Sequence, residues 1–151
     1  MVAVLSKTVL FLDFDGVLHP VGGASAGTRL SQLPLLAAAL REPALQHVQI
    51  VIASTWRQAH SIERLRRLFP ADIAARIIGG TPVLDEYDSE HERYEEIRAW
   101  LDEQSEGWQW VALDDDREGF PDRVHKNVVF PDPAIGVTEV DLARIRGLLG
   151  G

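Results

Sequence analysis

Short apolar runs, cut at intervals by acids, glycines and prolines, set the pattern of this chain. Val9-Leu10-Phe11-Leu12 is apolar without alternation, which predicts a strand buried on both faces, and it stops abruptly at Asp13-Phe14-Asp15-Gly16. Residues 19–27 are too rich in Gly and Pro for a regular element and read as a loop. A helix capped by Ser31 carries Leu35, Leu36 and Leu40, with Pro34 tolerated in its first turn and Pro43 closing it. Residues 48–53 form a second buried strand. Ile62, Leu65, Leu68 and Phe69 then recur at helical spacing until Pro70, ahead of a short strand at residues 76–78 and a turn at Gly79-Gly80-Thr81-Pro82.

The second half continues the alternation. Ser89 and Glu92 make the capping-box pattern S-x-x-E at the head of a helix through Tyr94, Ile97, Trp100 and Leu101. Residues 108–113 are a further apolar strand, ending in Asp114-Asp115-Asp116, and residues 128–130 are a last one. Thr138 with Asp141 opens a final helix carrying Val140, Ile145, Leu148 and Leu149. Strands alternating with helices predict an α/β fold, a three-layer α/β/α sandwich with a mostly parallel central sheet. At 151 residues, 46% of them hydrophobic, the chain is sized for a single domain over residues 1–151.

Composition narrows the chemistry. With no cysteine there is no disulfide, thiolate metal site or cysteine nucleophile. The net charge of −8 argues against an extended nucleic-acid-binding surface. That acidity is uneven: residues 1–84 hold eight Lys/Arg against five Asp/Glu, and residues 85–151 hold seven against eighteen. A local basic surface around Arg57, Arg64, Arg66 and Arg67 is therefore open, although a charged run on a helix is usually a solvated face. No apolar stretch approaches a membrane span, and Lys7 interrupts the apolar opening that could pass for a signal peptide, so a cytoplasmic protein without membrane contact is expected.

Three strand ends carry the candidate chemistry. An ionised Asp inside an apolar strand would be costly, which puts Asp13 at the strand's carboxyl end, where parallel sheets hold ligands. Asp15, two residues on, projects to the same mouth while Phe14 turns into the core. Ser54 and Thr55 end the second strand and read equally as a helix cap. Asp114 and Asp115 end the third, with Asp116 a solvated turn acid. A carboxylate cluster at one sheet edge suits a hard cation with oxygen ligands, and Mg2+ is the natural candidate.

The sequence D-F-D-G-V-L at residues 13–18 resembles the nucleophile motif of the haloacid dehalogenase (HAD) superfamily, D-x-D-G followed by T or V and then L or V. A-S-T-W-R at residues 53–57 and L-D-D-D at residues 113–116 follow in that superfamily's motif order, across nearly the whole chain. The resemblance implies a Rossmann-like core and a phosphatase in which Asp13 is both nucleophile and metal ligand. It makes Asp15 the general acid and base, with its main-chain carbonyl on Mg2+. Ser54, or Thr55 if the strand ends later, holds the phosphoryl group, and Asp114 completes the metal site with Asp115 on the ion or just behind it.

The family's usual lysine before the acidic motif is replaced by Arg93 in R-x-x-x-I-x-x-W-L, against the competing reading of a helix-surface Arg paired with Glu90 or Glu96. Lys126 is the reserve, out of motif order. Arg57 either adds a phosphate contact or makes a surface ion pair. His125 is read as structural, the four tryptophans as core, and His19 is close to Asp15 without a role.

Neither interval between motifs leaves room for a full cap domain. The implied site is open, suited to a phosphorylated substrate such as a nucleic-acid end or phosphoprotein, and the pattern also resembles small capless members associated with RNA repair. Phosphotransfer by the same residues, or a catalytically weak phosphate-binding module, are the alternatives.

Overall fold

β1 (Lys7–Leu12) is the middle strand of a five-stranded, all-parallel sheet, and its alternating side chains feed both halves of the core. The computed structural model describes residues 7–21, 28–84 and 90–150. β2 (Gln49–Ile52), β3 (Ile77–Gly80), β4 (Trp108–Leu113) and β5 (Val128–Val129) complete the sheet in the order β3-β2-β1-β4-β5. The chain winds outward from β1 to β3, then crosses back to lay β4 against the other side of β1. That reversal is the topological switch point, where open α/β sheets leave a crevice at their carboxyl ends.

Leu10 and Leu12 point to one face, under α1 (Leu33–Leu40), α3 (Ile62–Arg66), α4 (Ala71–Ala74) and α6 (Glu139–Leu149). Val9 and Phe11 point to the other, under α5 (Glu92–Asp102), where Trp100 meets Phe11 edge-on at 5.5 Å. A strand covered on both faces has no use for polar alternation, which is why these residues read as an unbroken apolar run. The α/β/α layering and parallel sheet agree with the sequence. Among the described residues, no helix is long and apolar enough to cross a membrane.

Several boundaries differ. The single helix expected to end at Pro70 is broken: α2 (Trp56–Ala59) stops where His60 turns extended, and Ser61 caps α3 by accepting the Arg64 N–H at 3.2 Å. Capping by Ser outcompetes helix continuation here. β3 begins one residue late and runs through Gly79 and Gly80, so the expected glycine turn is strand; a Cβ on Gly80 would lie 2.9 Å from Ile62 Cδ1, and the bare backbone lets α3 close onto the edge. α1 is preceded by Gln32 rather than capped by Ser31. α6 has the expected Thr138–Asp141 capping box, whereas Ser89 of the other capping box lies outside the described residues.

Arg76, taken as a strand residue, is a clamp. Its guanidinium donates to the carbonyls of Val48 at 3.0 Å, Leu40 at 2.6 Å and Leu45 at 2.5 Å, tying the end of α1 and the approach to β2 onto the start of β3. Charged donors to carbonyls are among the stronger protein hydrogen bonds. Arg76→Met is expected to lower unfolding free energy by about 2–4 kcal/mol in equilibrium denaturation. A loss below about 0.5 kcal/mol, the ordinary range for a surface change, would count against the clamp.

Candidate active site

Leu12 pairs in register with Ile52 on one side and Leu113 on the other, so Asp13, Ala53 and Asp114 leave the sheet side by side. The ladder continues one residue beyond the strands: Asp13 N–H donates to Leu113 O at 3.1 Å, Ala53 N–H to Leu12 O at 2.8 Å and Asp114 N–H to Val129 O at 3.1 Å. Asp13 and Asp114 are thereby buried, and Asp115 joins them with all three carboxylates offering oxygens within 4.8 Å of one another. Gly16 makes room for this. Its φ of +77° favours glycine, and a Cβ there would lie 2.4 Å from Asp115 Oδ2.

The cluster is electrostatically loaded. Burial first, and Asp114 second, hold the Asp13 carboxyl well above the usual carboxylate range, with Arg93 opposing. Burial pushes Asp114 up to about 6, again against Arg93. Three converging carboxylates facing one guanidinium are the donor set a small divalent cation takes, hard oxygens with unbalanced negative charge. The residues present therefore fit the Mg2+ that the motifs imply.

Arg93 comes from the first turn of α5 and is not a solvated surface residue. Its Nη1 donates to Ala53 O, its Nε lies 3.2 Å from Asp114 Oδ2, and Glu96 Oε1 is 3.7 Å from Nη1. Ser54 is fully buried beside it; its Oγ accepts the Trp56 N–H at 3.2 Å, which leaves the hydroxyl proton free to donate. Thr55 is exposed on the rim between two clefts. Lys126 is exposed in the turn Asp122–Asn127 and lines neither cleft. His125 is structural as expected, bonded to Phe120 O at 3.0 Å.

Arg57 corrects the sequence reading. It is not a surface ion pair: its side chain is 3% exposed and pairs with buried Glu96 at 2.6 Å. Other N–H groups go to Thr81 O at 2.8 Å, Ser54 O at 2.8 Å and Pro82 O at 3.2 Å. With four of its five N–H groups engaged in this way, it braces the loop that carries Ser54. Arg66 likewise spends its guanidinium on Ile77 O and Glu63, so the basic surface expected around these arginines loses two of its four members.

The Asp15 carboxyl stands aside from the other three, held by two partners the sequence left unassigned. His19 Nε2–H donates to Oδ1 at 2.7 Å and Trp56 Nε1–H to Oδ2 at 3.0 Å. The His19 tautomer follows from its other nitrogen, because Nδ1 accepts the Leu30 N–H at 3.2 Å and so leaves the proton on Nε2. His19 is completely buried, returned beside Asp15 by a tight turn in which Leu18 N–H donates to Phe14 O at 2.8 Å and Gly16 N–H to His19 O at 3.0 Å. The signal available was D-x-D-G-x-x-H, a His four residues past an acid with a glycine between. Trp56, read as core, is only partly so: its ring packs on Phe14 at 5.1 Å while its N–H serves the site.

No curated protein and no solved structure matches the chain. A family model does, and it covers the sheet, Asp13, Ser54, Arg93 and the Asp114 cluster. With residues 9–142 matched by the family described as the HAD domain in Swiss Army Knife RNA repair proteins, the chain belongs to that branch of the HAD superfamily.

Proposed function

We propose that the protein is a Mg2+-dependent phosphomonoester hydrolase working through an aspartyl-phosphate on Asp13. Family membership supports phosphatase-type hydrolysis in general. The observation that carries the finer reading is the convergence of Asp13, Asp114 and Asp115 at the switch point, with Ser54 and Arg93 alongside. An Asp13 oxygen attacks phosphorus, the bond to the leaving oxygen breaks, and Asp15 gives that oxygen its proton. Water then attacks the phosphorus of the mixed anhydride, Asp15 takes the water's proton, and phosphate departs with Asp13 regenerated.

Ser54 donates its hydroxyl to a phosphoryl oxygen, and Arg93 offsets the charge shared by the nucleophile and the phosphoryl group. His19 and Trp56 fix the direction in which Asp15 presents its proton. Asp13, Asp114, Asp115 and the Asp15 carbonyl are the groups to hold the cation, which when bound screens the attacking carboxylate from the phosphoryl oxygens.

The short intervals between motifs favour an open site that takes a phosphate on a large molecule. The family's description makes RNA the first such molecule to try. The net charge of −8 confines the expected contact to a terminal phosphate rather than a long backbone. An acceptor hydroxyl in place of water turns the same residues to phosphotransfer.

With Mg2+ present, the protein is expected to release phosphate from 4-nitrophenyl phosphate, and Asp13→Asn to lower kcat by about a thousandfold or more with the fold kept by circular dichroism. Wild-type turnover in that variant would remove Asp13 as nucleophile.

The pH dependence follows from Asp114, held at about 6 against an ordinary 3.8. A raised folded-state value means this group's contribution to metal-free stability is full below about 4 and gone above about 6. Mg2+ should therefore raise Tm well above pH 6 and much less below pH 5. Asp114→Asn should raise the metal-free Tm above pH 6 and abolish the Mg2+ response. An Mg2+ shift that is the same at both pH values speaks against the cluster.

His19→Ala should lower kcat about 10- to 100-fold with KM nearly unchanged, because it releases the general acid without touching phosphate contacts. His19→Gln, which keeps an N–H donor, should recover part of the loss. Equal losses in both variants would make His19 merely structural.

A further inference from the structure

Two clefts meet at Thr55 and differ in charge. One, of about 290 Å3, sets Glu90, Glu92, Glu96, Asp116 and Glu118 against Arg57 and Arg93, both of which are paired with carboxylates. The other, of about 370 Å3, opens on Asp15 and is lined by Arg29, Thr55, Trp56, Ala59 and His60, so among the described residues Asp15 is the one acid of its lining. Arg29 is exposed and lies 5.3 Å from the Trp56 ring centroid; among the described residues it has no carboxylate partner. Most arginines near the site are committed: Arg57 and Arg66 to carbonyls and glutamates, Arg93 to Asp114.

The placement of Arg29 is built. Leu30 adopts φ +56°, a left-handed conformation that a leucine enters at a cost of about 1–2 kcal/mol. In that conformation its N–H caps His19 Nδ1, while Ser31 N–H donates to Thr28 O at 2.9 Å and Gln32 N–H to Leu18 O at 2.8 Å. The residue before this anchored turn is thereby held over Trp56, whose own N–H is on Asp15. One aromatic ring connects the general acid to a cation with no carboxylate partner among the described residues.

This inference rests on the phosphatase reading, in which Asp15 protonates the leaving oxygen and the leaving group departs past it. We propose that the Arg29–Trp56–His60 cleft is a leaving-group subsite in which Arg29 binds a second phosphate. The substrate class is then a phosphomonoester whose alcohol portion carries another phosphate beside a planar ring. Stacking on Trp56 leaves the guanidinium edge free for bidentate contact with phosphate, and the Trp56 and His60 rings, 6.2 Å apart, wall the space beside it. Carboxylates outnumber arginines five to two in the first cleft, whereas Arg29 faces a single acid here, so an anionic leaving group is favoured on this side.

The test compares adenosine 3′,5′-bisphosphate with the two adenosine monophosphates and 4-nitrophenyl phosphate, by phosphate release with Mg2+. The bisphosphate is expected to have a kcat/KM about tenfold above either monophosphate, the value of one charged contact. Arg29→Ala should erase that preference, falling about tenfold more on the bisphosphate than on 4-nitrophenyl phosphate, and Arg29→Lys should keep part of it. Calorimetry on Asp13→Asn with Mg2+ gives the same comparison without turnover: adding Arg29→Ala should weaken the bisphosphate about tenfold more than inorganic phosphate. A bisphosphate no better than the monophosphates, or an Arg29 effect equal on all ligands, overturns the subsite while leaving the phosphatase reading intact. Arg29-dependent binding with no turnover of any compound defeats the phosphatase reading and retains the anion subsite.

Discussion

Negative charge, forced together by strand register, is the constraint on which the rest of the molecule depends. Because Leu12 and Leu113 are paired neighbours, the residues after them have no freedom to separate, and both are buried aspartates. Their burial raises both carboxyls, and Arg93 opposes it together with the main-chain N–H groups of Phe14 and Asp116. A sheet selected for stability alone would not end two adjacent central strands this way, since a buried unpaired carboxylate costs several kcal/mol. The apolar run of β1, packed on both faces, supplies the stability against which this local cost is set.

α5 is held to the sheet edge by an ionic network rather than by apolar packing alone. Glu96 receives Arg57 at 2.6 Å and lies 3.7 Å from Arg93, so one helix carboxylate orders two guanidiniums from different directions. Buried ion pairs add little net stability, but loss of one partner strands the others, which makes such a network a positioning device. Here it fixes two things at once: Arg57 pins the Ser54 carbonyl and the backbone after β3, and Arg93 lies across the end of β2 to face Asp114.

The layers, the strand sequence and the convergence of Asp13, Ser54 and Asp114 were legible because each depends on local pattern and one topological rule. Apolar runs name the buried strands, and parallel strands end along one edge. What was not legible came from contacts made at long range. Arg57 looked like a surface cation because its partner Glu96 is 39 residues away. Trp56 looked like core because its N–H finds Asp15 across 41 residues. Gly79 and Gly80 looked like a turn because only the approach of Ile62 to Gly80 reveals why the strand is bare there. His19 was the exception, within four residues of its partner, and was missed because its tautomer depends on the distant Leu30 N–H.

The arginine at position 93 follows from the same network. By the resemblance, Arg93 takes the position of a lysine, a single ammonium able to neutralise nucleophile and phosphate. Here the side chain must also reach Ala53 O and answer Glu96, whose carboxylate is already drawn to Arg57. A planar guanidinium keeps Nη1 on the Ala53 carbonyl and near Glu96 while its Nε stays beside Asp114, a fixed spread that a compact ammonium does not reproduce. Arg93 is therefore coupled to Glu96 and through it to Arg57, and its Nη1 contact with Ala53 O belongs to the same arrangement. The way α5 is docked thus places a positive charge beside Asp114.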